Sequence, residues 1–166
     1  NIGTPIPGVE IKIVGSDGCE IMDGSPGELH VRGPNVMLGY FRQPELTEAV
    51  IDKDGYLNTG DIVSVNSKQE LVVQGRTKEL IIRSGFNVYP PEIEAALNTH
   101  PAVLNSAVVG RSIEGNEEIV AFVEPVPGCH IEIDTLFALL DEQLARYKKP
   151  QKIIVMSQLP VAPNGK

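Results

Sequence analysis

The apolar residues change period once along the chain, and that change limits the fold more than any other feature. Up to Arg76 they recur at every second residue in short runs. "VEIKIV" (9–14) sets Val9, Ile11 and Ile13 against Glu10 and Lys12, the alternation of a half-buried strand. "GELHVRG" (27–33) repeats it with Leu29 and Val31. "IVSV" (62–65) and "ELVVQ" (70–74) flank Asn66-Ser67-Lys68 as a hairpin. A short helix fits "QPELTEAVI" (43–51), with Pro44 where a first turn tolerates it. Sixteen Gly and thirteen Pro separate these runs, and they read as turns because periodic apolar stretches fill the gaps between them.

Beyond Arg76 helical spacing enters. "ELIIR" (79–83) reads as a strand. "PPEIEAALNTH" (90–100) then opens with two prolines and places Glu92 and Glu94 in a first turn, where the helix dipole favours anions. "VLNSAVVG" (103–110) and "EIVAFVEPV" (118–126) are strands. "DTLFALLDEQLARYKK" (134–149) predicts one helix with Asp134 as N-cap, a Leu136, Leu140, Leu144 stripe and Lys148-Lys149 at its end. Pro150 stops it, and "KIIVM" (152–156) is a last strand. The expected fold class is α+β: a β-rich subdomain over 1–77, then a small α+β domain over 78–166.

Bulk properties exclude several functions. A net charge of −8 argues against non-specific binding of nucleic acid or of an anionic membrane surface. No apolar run approaches the ~20 residues of a membrane span. The N-terminal "NIGTPIPGVEI" is not a signal peptide, having no basic stretch followed by an apolar one. It lacks an initiating Met and enters a strand pattern at once, so the expectation is that the chain begins inside a larger protein. Cys19 and Cys129 have no metal-type spacing partner and read as free thiols of a cytoplasmic protein. His30, His100 and His130 sit in separate segments without metal-site spacing.

Few segments suggest chemistry by themselves. Asp61, in "GYLNTGD", closes a Thr-Gly-Asp turn before a strand. Taken alone it is a turn aspartate bonding its own backbone. The functional alternative is a carboxylate accepting two hydroxyl hydrogen bonds, as a ribose would offer. In "GRTKELIIRSGFNVYPPEIE", Arg76 and Lys78 singly are surface charges and Gly85 a turn glycine. Together they form a charged pair at the domain boundary and a position where a ligand can approach backbone closely. The terminal "PNGK" is no P-loop, since Pro160 stands where a glycine is needed and no Ser/Thr or helix follows the lysine. No Gly-x-Ser-x-Gly elbow is present.

The set and order of "GELHVRGPNVMLGYFRQPELTEAVIDKDGYLNTGD", "VVQGRTKELIIRSGFNVYPPEIEAAL", "HPAVLNSAVVG", "ARYKKPQKI" and "LPVAPNGK" resembles the C-terminal part of the adenylate-forming superfamily. That superfamily contains acyl-CoA synthetases, aryl-CoA ligases, luciferases and nonribosomal peptide adenylation domains. "SGFNVYPPEIE" is most similar to fatty-acyl-CoA synthetases. The resemblance implies that Asp61 holds the ATP ribose hydroxyls and that Arg76 joins it at the nucleotide. It also implies that Lys78 is the hinge, that Gly85 borders the pantetheine channel for CoA, and that Lys166 is the adenylation lysine.

No segment resembles the family's ATP-phosphate loop, its magnesium-binding acid or its acyl pocket. The expectation is therefore a C-terminal piece of an ATP-dependent acyl-CoA synthetase, inactive alone, whose partners are the missing N-terminal portion and a carboxylic acid. Mg2+ is expected in the full-length enzyme and not on this chain. An aryl-CoA ligase or carrier-protein-loading enzyme is the alternative. A non-catalytic interaction module is disfavoured, because a scaffold has no use for Asp61, Arg76 and Lys166 together.

Overall fold

The structure, a computed structural model, describes residues 1–161. Lys166 lies outside them. The chain divides into two compact units, Asn1–Lys78 and Glu79–Lys166.

The first unit is a four-stranded antiparallel sheet in the order β1-β2-β3-β4. Its strands are Glu10–Val14 (β1), Gly27–Arg32 (β2), Leu57–Val65 (β3) and Leu71–Arg76 (β4). The alternation works as read: Ile13, Leu29, Val63 and Leu71 make the core. The opposite face is ionic. Lys12 Nζ lies 2.6 Å from Asp52 and Arg32 Nη2 lies 2.5 Å from Glu10. Both cations sit over the Tyr56 ring, 4.2 and 4.6 Å from its centroid. The β3–β4 turn is pinned by Asn66, whose Oδ1 accepts the Lys68 and Glu70 amides. Helix α1 is the short Pro44–Glu48, begun by its proline as expected.

His30 on β2 is half-buried with its Nδ1 unpartnered. Burial, and then the neighbouring Lys12, hold its imidazole below the ordinary value, against weaker opposite pulls from Glu28 and Asp52. A histidine with a lowered folded pKa leaves stability intact above its unfolded value of about 6.5. That stability is lost as pH falls below it, because the unfolded chain then binds the extra proton. The denaturant midpoint should therefore drop between pH 7 and pH 5.5. His30→Gln should remove part of that slope, and an unchanged slope would show that His30 does not contribute.

The second unit places two helices against a three-stranded sheet. Strands β5 (Ile81–Arg83) and β6 (Phe86–Val88) form a separate hairpin, followed by helix α2 (Pro90–Leu97). Strands β7 (Val103–Ile113) and β8 (Asn116–Pro125) pair antiparallel. Helix α3 (Ile133–Gln143) then leads to β9 (Lys152–Val155), which pairs parallel to β8. Ile93 and Leu97 of α2, Leu136 and Leu140 of α3, and Ile119, Ala121 and Val123 of β8 are buried together. Deleting one such leucine side chain typically costs about 2–5 kcal/mol.

One element went unread and one expectation needed correction here. Strand β6 was not legible as a strand. The helix expected over 134–149 ends at Gln143: its N-cap is Glu132, Asp134 lies inside the first turn, and Leu144 is extended (φ −121°, ψ 144°). Arg146–Lys148 is a single 3-10 turn. Tertiary partners explain the break. Lys148 Nζ bonds both carboxylate oxygens of Glu92 on α2 at 2.7 Å. Arg83 Nη1 donates to the carbonyls of Tyr147 and Lys149, and Tyr147 stacks on Phe86. Helix propensity is a weak preference that such contacts override. The Leu136, Leu140, Leu144 stripe is nevertheless buried as read.

Candidate functional site

Asp61 does not close a turn before a strand; it sits inside β3. Across β2 the register runs from Glu28↔Ile62 to His30↔Asn58, so Thr59, Gly60 and Asp61 lie opposite Leu29 alone. The excess residues form a bulge, a device that re-aims side chains. Local hydrogen bonds set its shape. Gly60 takes φ +71° and donates its N–H to Asn58 Oδ1 at 2.8 Å. The Asp61 N–H donates to Thr59 Oγ1 at 3.1 Å, and that hydroxyl donates to the Leu29 carbonyl at 3.0 Å.

Arg76 ends β4 directly across from Asp61, and its Nε lies 2.9 Å from Asp61 Oδ1. Asp61 is 28% exposed and Arg76 58%, so the pair faces solvent and contributes only ~0–1 kcal/mol to stability. Among the described residues, the second Asp61 oxygen and the terminal guanidinium nitrogens make no other ion pair or side-chain hydrogen bond. Arg76 also lines a cavity of about 350 Å³ with Glu28, Tyr40, Asn58, Thr77 and Lys78.

Glu28 organises this cavity, and the sequence reading missed it. Its Oε2 accepts Asn58 Nδ2 at 2.9 Å and its Oε1 accepts the Thr77 hydroxyl at 2.7 Å. One carboxylate therefore ties the start of the bulge to the residue after Arg76. The only signal in sequence was a polar residue at an alternating position, which any solvated strand face shares.

Lys78 is the last residue of the first unit, within the 3-10 turn Thr77–Glu79. Gly85 belongs to the second unit, in the two-residue turn between β5 and β6. Ser84 and Gly85 have φ +51° and +81°, the double positive φ of a type I′ hairpin. A Cβ built on Gly85 meets nothing within 4 Å. The structure thus brings Asp61 and Arg76 together and sets Gly85 in a separate exposed turn. Among the described residues no three His, Cys, Asp or Glu gather as a metal-binding group.

Comparison with known proteins identifies the family. A model of the AMP-binding enzyme C-terminal domain matches residues 92–166, and one of the AMP-binding enzyme matches residues 1–41. The chain belongs to the adenylate-forming superfamily. An indoleacetate–CoA ligase of Aromatoleum aromaticum is 40% identical over 99% of this chain and 32% of that protein. A long-chain-fatty-acid–CoA ligase of Escherichia coli O157:H7 is 39% identical over 100% of this chain and 29% of that protein. The amide bond synthetase McbA from Marinactinospora thermotolerans superposes with a TM-score of 0.90 at 34% identity, over 98% of this chain and 34% of that one. The mixed α+β architecture is that of these adenylate-forming proteins. The chain spans about a third of the length of the curated relatives it matches. No helix among the described residues is long and apolar enough to cross a membrane.

Proposed function

We propose that these residues serve an ATP-dependent acid–thiol ligase, which joins a carboxylic acid to AMP and then passes the acyl group to CoA. The observation that carries this reading is the Asp61–Arg76 pair, held by a side-chain-pinned bulge beside a cavity. Asp61 accepts the two ribose hydroxyls of ATP, and Arg76 holds that carboxylate in orientation while donating to the nucleotide. Lys166 supplies a cation to the phosphoryl oxygens as the carboxylate attacks and pyrophosphate leaves. Reorientation about Lys78 then brings Gly85 to the pantetheine arm, whose thiol takes the acyl group and releases AMP.

The acyl group we assign is a fatty acid, on the similarity of "SGFNVYPPEIE" to fatty-acyl-CoA synthetases. An aryl acid is the second reading, favoured by the indoleacetate–CoA ligase among the relatives. Cys19 and Cys129, both exposed and unbridged, fit a reducing cytoplasm. The remaining two-thirds of the length seen in relatives is the required partner, and the chain alone should form no acyl-CoA from acid, ATP and CoA.

ATP–pyrophosphate exchange by the full-length protein, across a panel of fatty, aryl and amino acids, tests the reading. Exchange should depend on a fatty acid, and Asp61→Ala should raise KM for ATP by at least about tenfold, as losing charge-assisted hydrogen bonds would. Exchange with no acid of the panel, or an unchanged KM in the variant, would sink it.

A further inference from the structure

The hairpin that carries Gly85 is fastened to its unit by side chains. β5 and β6 share no backbone ladder with the three-stranded sheet, and only Ile81 and Val88 of the hairpin are buried. On one side Arg83 donates to two carbonyls, 2.9 and 2.8 Å away, and Phe86 stacks on Tyr147 with ring centroids 4.7 Å apart. On the other side two consecutive residues at the start of β8 grip it. Asn116 Oδ1 accepts the Ser84 N–H at 2.7 Å, and Asn116 Nδ2 donates to Ser84 Oγ at 3.2 Å. Glu117 Oε2 accepts the Ile82 N–H at 2.5 Å.

These bonds are not needed to satisfy the backbone. Ser84 is exposed, and water would serve its amide as well. What a two-point carboxamide contact adds is orientation, because it fixes both the backbone and the side chain of the residue before Gly85. Ser84 is also held at φ +51°, a region that non-glycine residues rarely occupy. Glu117 adds a third point two residues earlier, on the same hairpin.

We infer that Asn116 and Glu117 are positioning residues for the thioester step, setting the Gly85 turn where the pantetheine arm has to pass. The inference rests on the role proposed above for Gly85. A turn free to tilt would let the arm bind in several poses, and productive geometry tolerates little of that.

The test measures the two half-reactions separately in the full-length protein: ATP–pyrophosphate exchange, and thioester formation from a supplied acyl-adenylate at varied CoA. Asn116→Ala should raise KM for CoA about tenfold, the scale of one or two modest hydrogen bonds, while exchange stays within about twofold. Asn116→Asp keeps the oxygen facing the Ser84 N–H and should recover most of the loss. Glu117→Gln should do the same relative to Glu117→Ala. An unchanged KM for CoA in both alanine variants overturns the inference. So does an equal loss in both half-reactions that neither conservative variant recovers. Gly85→Leu separates the two levels. If it spares thioester formation, the Gly85 role itself fails; if it blocks that step while Asn116→Ala does not, only the positioning role fails.

Discussion

Lys166→Ala in the full-length protein should slow acyl-adenylate formation by about a hundredfold or more, the scale for removing one well-placed electrostatic group. Negative charge grows on the phosphoryl oxygens as the carboxylate attacks and pyrophosphate departs. An ammonium aimed at those oxygens is worth more in that state than in the bound ground state, so its loss should fall on the rate constant. Thioester formation from a supplied acyl-adenylate should be largely spared, since no phosphoryl transfer remains in that step. Lys166→Arg keeps the charge with a different shape, and it should recover only part of the rate. If the lysine merely supported the fold, both half-reactions would decline together. Equal losses in the two assays would return Lys166 to an ordinary charged residue.

The β-rich unit was legible because its strands have one apolar face. Ile13, Leu29 and Val63 stand at alternating positions, and period two is visible without knowing the partner strands. The helices were legible in their apolar stripes and not in their ends. α3 stops where Lys148 reaches Glu92 and Arg83 reaches the Tyr147 carbonyl, contacts between residues more than fifty positions apart. No local pattern encodes such partners. Strand β6 was hidden for a different reason. Three residues are too few to show a period, although Ser84-Gly85 was already a turn signal.

At the candidate site the sequence offered residue types without their geometry. Asp61 could be read as a carboxylate suited to ribose hydroxyls and Gly85 as a place for a close-passing ligand, while a nucleotide role for Arg76 came only with the family resemblance. The bulge that re-aims Asp61 depends on Thr59 meeting the Leu29 carbonyl and on Asn58 meeting Glu28, both across strands. Those bonds turn a nominal turn aspartate into a carboxylate held against Arg76. Asn116 and Glu117 escaped notice likewise, because their partners lie more than thirty residues away.

Gly85 allows backbone strain and blockage to be told apart by a graded series. Its φ of +81° costs an L-residue about 1–2 kcal/mol, and Asn tolerates that region better than Ala or Leu. A Cβ there meets no atom within 4 Å, so Gly85→Ala adds strain without a clash in this unit. Gly85→Leu carries the same strain and extends a branched side chain into the space beside the turn. Any loss common to Ala and Leu therefore reports the backbone, and any excess in Leu reports what that space is for. If the pantetheine arm passes there, Gly85→Leu should slow thioester formation by about a hundredfold more than Gly85→Ala, as displacing a reactant by roughly an ångström can. ATP–pyrophosphate exchange and the thermal midpoint should be alike in the two variants. Gly85→Asn should lie nearer to Ala than to Leu in the second step, and should be the most stable of the three. Equal thioester rates in Ala and Leu would mean that nothing passes the turn, and the glycine would then be explained by the hairpin alone.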